Sequence, residues 1–117
     1  MQKKKICLIS DIPKNDVKTF KLDNYDIAIF NIEGKFYAIN RQCTHFKGNL
    51  AKGTVKGKTV QCPLHGAVFD LETGKLLKQP GTIAGWFKKG SDNKIYKTII
   101  KDNELYIELP KKTKEDE

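Results

Sequence analysis

Short runs of apolar and β-branched residues, separated by turn signals, recur along the whole chain. Residues 25–32 (YDIAIFNI) and 36–40 (FYAIN) have the composition of strands and flank Glu33-Gly34-Lys35, a short turn. Two such runs with a glycine-containing turn between them predict a β-hairpin.

Two further hairpins are predicted in the same way. Residues 95–101 and 104–109 flank Asp102-Asn103, a pair suited to the positive φ angles of a tight turn. Residues 54–56 and 58–62 flank Gly57, and only residues 17–22 have a spacing that favours a helical turn. Short strands with regular turns predict an all-β sandwich or barrel.

The composition indicates one domain with no membrane segment. The chain has 117 residues, its longest apolar runs are four residues, and the apolar run 6–9 is too short for a signal-peptide core. Residues 110–117 form a charged tail outside the domain, which spans residues 1–109. We also predict that Cys7, in the run 6–9, is a buried strand residue and not a reactive thiol.

The charge is strongly basic, which raises the question of a nucleic-acid partner. There are 22 basic and 14 acidic residues, giving a net charge of +8, and Arg41 is the only arginine. Base recognition and bidentate phosphate binding favour arginine, and the lysines are scattered along the chain. We therefore expect no nucleic-acid partner, and the short apolar runs lead us to expect no membrane partner.

Four of the five cysteines and histidines fall into one paired pattern. Cys43-Thr44-His45 supplies a C-x-H segment, and Cys62 and His65 supply a C-x-x-H segment. Thiolate and imidazole together are typical ligands of a transition-metal site. Structural zinc sites more often pair two cysteines in one knuckle, so a two-iron centre fits better. A zinc-stabilised binding module remains the alternative.

The residues around these segments resemble those of the Rieske-type ferredoxins. The matching stretches are CTH with Leu50 five residues after His45, CPLHGAVFDLETG at 62–74, and QPG at 79–81. The resemblance covers about residues 5–109. It implies the Rieske fold, in which an antiparallel β-sandwich base (residues 1–40 and 81–109) carries a cluster-binding subdomain at about 41–80.

The resemblance also implies one [2Fe–2S] cluster per chain and its ligands. Cys43 and Cys62 would bind one iron, and His45 and His65 would bind the other with their outer nitrogens at the surface. These ligands lie in what we call ligand loop 1 (residues 43–50) and ligand loop 2 (residues 62–67). The resemblance suggests three further roles. Gly48 and Gly66 would let the backbone approach the cluster closely, and Pro80 would lie in a loop that covers the cluster. Leu64 and Phe46 would form an apolar collar for docking.

At several positions the sequence differs from other classes of Rieske protein, and these differences restrict the function that the resemblance implies. Gly48 and Leu64 stand where respiratory and photosynthetic members have disulfide-bonded cysteines. Ala67 and Phe69 stand where high-potential members have a serine and a tyrosine that donate hydrogen bonds to sulfur. No histidine is left for the second iron site of an oxygenase.

The resemblance thus implies a soluble electron carrier and not an enzyme. We expect a monomer in the cytoplasm that passes electrons from a reductase to a terminal oxygenase or another redox protein. It resembles both the dioxygenase ferredoxins and the small archaeal Rieske ferredoxins. The alternative within the same fold is the small subunit of a nitrite reductase.

Overall fold

The structure is a computed structural model that describes residues 2–22, 24–43, 48–64, 66–78 and 91–109. Within these ranges the chain forms β-strands and two short 3-10 turns, Ile9–Asp11 and Leu50–Lys52. The strands are β1 (Gln2–Leu8), β2 (Val17–Leu22), β3 (Tyr25–Ile32), β4 (Lys35–Asn40), β5 (Thr54–Lys56), β6 (Thr59–Gln61), β7 (Val68–Asp70), β8 (Leu76–Lys78), β9 (Ile95–Tyr96), β10 (Thr98–Lys101) and β11 (Glu104–Leu109).

The strands form three antiparallel sheets. The first sheet has the order β1-β11-β10, the second β2-β3-β4-β9, and the third β5-β6-β7-β8. We call the first two sheets the base and the third sheet, with the two ligand loops, the insertion. The all-β prediction is confirmed. The third sheet lies within the range 41–80 expected for the subdomain, whose boundaries, like those of the 1–109 domain, stay predictions.

The second sheet is the middle layer, and both of its faces are buried. In β3, Ile27 and Ile29 pack in the core shared with the first sheet. The alternate residues Ala28 and Phe30 pack in the core shared with the insertion. Because side chains alternate between the two faces of a strand, a strand covered on both faces has a nearly continuous apolar sequence. This explains the YDIAIFNI run.

The first sheet is covered on one face only. Leu105, Ile107 and Leu109 of β11 are buried, and the residues between them are partly exposed. Cys7 lies in β1 as expected and is half-buried at the edge of the same core. Burial raises the pKa of its thiol, so the protonated and less reactive form is favoured.

The prediction of a helical turn at residues 17–22 is wrong. These residues form strand β2, which pairs with β3 from Val17 opposite Phe30 to Leu22 opposite Tyr25. Val17 packs against the core on one face of this edge strand, whereas Phe20 and Leu22 pack against the core on the other face, so its apolar residues do not alternate strictly. Pairing with β3 supplies the backbone hydrogen bonds and overrides the weak local pattern.

The predicted strand at residues 95–101 is divided at Lys97. The part before it, β9, pairs with β4 in the second sheet, and the part after it, β10, pairs with β11 in the first sheet. One run of sequence therefore crosses between the two sheets of the base. Such a crossing leaves no signal in the apolar pattern, because both parts are strands.

The predicted hairpin turns are confirmed. Glu33 and Gly34 have φ angles of 52° and 89°, and Asp102 and Asn103 have φ angles of 53° and 65°. Two consecutive residues with positive φ match the twist of the flanking strands. The β5–β6 hairpin, with Gly57 in its turn, connects the two ligand loops, so the short third sheet brings them together.

Over the described ranges, the structure contains no helix with the length and apolar content that crossing a membrane requires.

Candidate metal centre

Ligand loop 1 is closed at its base by two backbone hydrogen bonds. The N–H of Cys43 donates to the carbonyl of Gly48 at 2.7 Å, and the N–H of Leu50 donates to the carbonyl of Arg41 at 2.8 Å. Leu50 is fully buried and anchors the end of the loop in the core between the middle sheet and the insertion. The loop is thus pinned on both sides of its tip.

Ligand loop 2 is closed in a similar way around Cys62. The N–H of Cys62 donates to the carbonyl of Ala67 at 2.7 Å, and the N–H of Gly66 donates to the carbonyl of Cys62 at 3.1 Å. Gly66 has a φ angle of 81°, which a glycine adopts without steric cost. The loop therefore folds back on itself directly after the position of His65.

The two cysteines meet at Gly48. A Cβ atom added to Gly48 would overlap the Sγ of Cys62 and would lie 3.5 Å from the Cβ of Cys43. Both cysteines are buried, with exposed fractions of 3% for Cys43 and 2% for Cys62. Two thiols from different loops are therefore brought side by side in the apolar core, and only a glycine fits between the loops at this point.

Positions 48 and 64, where the resemblance places the disulfide-bonded cysteines of respiratory and photosynthetic Rieske proteins, also lie close together. The added Cβ of Gly48 would lie 3.4 Å from the Cβ of Leu64. This is close to the separation of about 3.5 to 4.5 Å between the Cβ atoms of a disulfide. Positions 48 and 64 are thus adjacent in space, as the resemblance implies, but their residues cannot form the bond.

The structure does not describe the two histidines of the pattern. His45 and His65 lie outside the described residues, as do Phe46 and Pro80. Among the residues that are described, no three histidine, cysteine or acidic side chains form a group that could hold a metal ion. The assignment of His45 and His65 as ligands, and of the cysteines as their partners, stays a prediction.

The described part of the site fits a thiolate-bound metal cluster. None of the three cysteines forms a disulfide, although Cys43 and Cys62 lie close together. A thiolate in an apolar core is costly unless a cation compensates its charge, and thiolates select zinc, copper or iron–sulfur clusters. The two sulfurs can therefore act as neighbouring ligands of one metal.

A pair of charged residues braces the start of ligand loop 1, and the sequence analysis missed it. The Nε and Nη2 atoms of Arg41 donate to the two carboxylate oxygens of Asp26 at 2.7 and 2.5 Å. The backbone N–H of Arg41 also donates to the carbonyl of Asp26 at 2.8 Å. These hydrogen bonds hold the pKa of the Asp26 carboxyl below its ordinary value. The only arginine of a lysine-rich chain was the available signal, because only arginine makes such a bidentate pair.

The profile of the Rieske [2Fe–2S] domain family matches residues 2–95 of this chain. The chain belongs to the Rieske [2Fe–2S] domain family. The prediction of the Rieske family and fold is confirmed, and so is that of one [2Fe–2S] cluster. A zinc-stabilised module does not agree with this match.

Relatives of known function are ferredoxins of oxygenase systems. The chain is 34% identical over 106 residues to the 3-phenylpropionate/cinnamic acid dioxygenase ferredoxin subunit of Escherichia coli, which covers 89% of this chain and 91% of the relative. It is 39% identical over 74 residues to a ferredoxin component of Ralstonia naphthalene 1,2-dioxygenase/salicylate 5-hydroxylase systems, covering 63% of this chain and 71% of the relative. Like these ferredoxins, the chain is an electron carrier and not itself an enzyme.

Solved structures of ferredoxins are also similar to this chain. The ferredoxin in a complex of reduced oxygenase and oxidised ferredoxin of carbazole 1,9a-dioxygenase superposes with a TM-score of 0.75 at 25% identity, covering 96% of this chain and 97% of that one. The Sphingomonas yanoikuyae B1 ferredoxin superposes with a TM-score of 0.77 at 24% identity, covering 93% and 100%, and supports the fold.

The first prediction concerns Gly48. Gly48→Ala should cost about 1–3 kcal/mol through overlap with the Cys62 sulfur and should lower the iron and sulfide content of the purified protein. Gly57→Ala is the control, because a Cβ there meets no atom within 4 Å and the cost is only the positive φ of 60°. It should lower the melting temperature but keep the visible spectrum. An unchanged spectrum in Gly48→Ala would contradict the proposed close contact.

The second prediction concerns pH. Because the folded-state pKa of Asp26 is lowered, its pair with Arg41 stabilises the fold fully above the unfolded-state pKa of about 3.9. This contribution is lost as the pH falls through the lower folded-state pKa. Asp26→Asn should therefore cost about 0.5–1 kcal/mol near neutral pH, and the difference from wild type should vanish at the acid end. Urea unfolding at several pH values measures it, and a difference that grows on acidification would be the wrong sign.

Proposed function

We propose that this chain is the ferredoxin component of an oxygenase system, taking single electrons from a reductase and delivering them to a terminal oxygenase. The observation that carries the proposal is its similarity to a dioxygenase ferredoxin subunit over 89% of this chain and 91% of the relative. The superposition on a ferredoxin from an oxygenase–ferredoxin complex supports it.

We further propose that Cys43, His45, Cys62 and His65 hold the cluster. The adjacent burial of the two cysteines supports a shared iron for them. Each histidine follows its cysteine by two or three residues in a loop whose ends are pinned at the site, which supports the second iron for them. When bound, such a cluster supplies reversible one-electron oxidation and reduction.

The surface next to ligand loop 2 suits contact with a redox partner. Leu64 is 49% exposed and precedes His65, while Cys62 two residues earlier is buried. An exposed apolar residue beside a predicted ligand favours docking of a partner protein at this tip. The net charge of +8 favours partners with an acidic surface at their own docking site.

We place the protein in the cytoplasm. The ligand thiolates have to remain reduced, and a reducing compartment keeps them so.

The third prediction tests the cluster and its ligands. The purified protein should contain two irons and two acid-labile sulfides per chain, with the low average g-value of mixed histidine and cysteine ligation after reduction. Replacing any one of the four predicted ligands by alanine should abolish this signal. Cys7→Ser is the matched control and should keep it, since Cys7 lies in β1 of the base. One zinc per chain without visible absorbance would overturn the proposal.

The electron-transfer role is tested by reconstitution with a reductase and a terminal oxygenase of the same organism. A nicotinamide-dependent reductase should bleach the visible band, and addition of the oxidised oxygenase should restore it. A protein that the reductase reduces but the oxygenase does not reoxidise would not be the proposed carrier.

The fourth prediction concerns the midpoint potential. Ala67 and Phe69 are buried in the core that contains both cysteines, and neither side chain can donate a hydrogen bond to sulfur. Without such donors the negative charge added on reduction is less stabilised. We therefore expect a midpoint in the low half of the range of roughly −150 to +300 mV, near or below zero.

Voltammetry of the wild type and of Ala67→Ser with Phe69→Tyr measures this effect. The double substitution should raise the midpoint. Phe36→Tyr is the control for the added hydroxyl, because Phe36 is also buried but packs in the core of the base. A wild-type midpoint above about +200 mV would contradict the assignment.

A further inference from the structure

A short segment of the base holds the insertion through backbone contacts. The N–H of Asn93 donates to the carbonyl of Gly74 at 2.7 Å, in the turn between β7 and β8. The N–H of Leu76 donates to Oδ1 of Asp92 at 2.8 Å. The segment that leads into β9 is therefore bonded to the insertion through two consecutive residues.

The contact between Asn93 and Gly74 is close. A Cβ added to Gly74 would overlap the carbonyl oxygen of Asn93 and would lie 3.1 Å from Cγ2 of Ile95. Gly74 also has a φ angle of 79°, which disfavours any other residue. The turn of the insertion is thus pressed against the backbone of Asn93 without space for a side chain.

The side chain of Asn93 extends this contact to ligand loop 1. Its Nδ2 donates to the carbonyl of Asn40 at 3.1 Å and to the carbonyl of Gln42 at 3.3 Å. Its Oδ1 accepts from the N–H of Lys94 at 2.8 Å. Asn93 is 8% exposed, so water cannot readily replace these partners.

The two carbonyls that Asn93 binds have a special position. They flank Arg41 and belong to the last residues before Cys43, where the chain leaves β4 for ligand loop 1. The Arg41–Asp26 pair holds residues 40–42 against β3. Asn93 holds the same residues against the segment 92–93, whose backbone is bonded to the turn of the insertion at Gly74. One buried amide therefore connects the approach to Cys43 with the sheet that carries Cys62.

We propose that Asn93 is a positioning residue, whose amide fixes the approach to Cys43 relative to the insertion and so sets the placement of the two thiolates. The proposal rests on the proposed function, since it assumes that both cysteines bind the cluster. Loss of the amide donors releases one loop relative to the other, while most of the base keeps its own hydrogen bonds.

The test compares two asparagine-to-aspartate substitutions. Asn93→Asp replaces the donating amide by an oxygen that faces two carbonyls. Asn31→Asp is the matched control, because Asn31 is 6% exposed and its Nδ2 donates to the carbonyl of Ile12 at 2.8 Å within the base. Both variants lose buried donors, but only Asn93 contacts the approach to a predicted ligand.

The readouts separate positioning from stability. At a temperature where far-ultraviolet circular dichroism shows both variants folded, Asn93→Asp should lose its visible cluster band on the order of tenfold faster than Asn31→Asp. Its reduced-state g-values and midpoint potential should shift, and those of Asn31→Asp should match the wild type. Equal rates with unchanged g-values and midpoint in Asn93→Asp would overturn the proposal.

Replacement variants and separate outcomes allow the experiment to be interpreted in every case. If Asn93→Asp does not fold, Asn93→Ser and Asn31→Ser replace the aspartate pair, since serine keeps one donor and adds no charge. They are judged by the same readouts. A wild-type protein without a cluster would contradict the proposed function, whereas a stable cluster in Asn93→Asp would contradict only the role of Asn93.

Discussion

The contact between Cys62 and Gly48 is the constraint on which the rest of the site depends. The two cysteines belong to different loops separated by a hairpin, and their sulfurs can serve one metal only if the loops touch. The lack of a side chain at Gly48 permits this approach, since any Cβ would overlap the Cys62 sulfur. The hydrogen bond from Cys43 to Gly48 holds the glycine in place. A glycine and a short loop closure thus bring the two cysteines together.

The three-layer arrangement surrounds this contact with apolar groups. Ala28 and Phe30 of the middle sheet and Phe69 of the insertion share one core with both cysteines. Because both cysteines are buried in this core, binding of the proposed cluster and formation of the core should favour each other. The core shared by the first and second sheets lies on the opposite face of the middle sheet. Of the three cysteines, only Cys7 packs against this core, at its edge. The base can therefore support the site without taking part in its chemistry.

Some features of the fold and of the site were predictable from the sequence, and others were not. Turns with Glu33-Gly34 and Asp102-Asn103 were predictable because positive φ restricts the residues that fit there. That Cys43 and Cys62 lie close together was predictable because few residue types bind metals, whereas the assignment of all four ligands stays a prediction. The edge strand at residues 17–22, the crossing at Lys97 and the amide of Asn93 were not, because each depends on partners distant in sequence. Local pattern specifies turns and indicates candidate ligands, whereas contacts between residues distant in sequence decide which strands pair and which side chains support the site.

Ligand loop 2 faces two environments, and an electron carrier needs both. The Cys62 side chain points into the core and is 2% exposed, whereas Leu64, two residues later, is 49% exposed. Burial protects a ligand sulfur from oxidants, since susceptibility follows the exposure of the thiolate. An exposed tip allows a partner to approach within a few residues of the same sulfur. After Leu64, the hydrogen bonds between Cys62 and residues Gly66 and Ala67 return the chain to the core, where Ala67 is buried. In the proposed function, the loop therefore joins a buried ligand sulfur to an exposed surface for a partner protein.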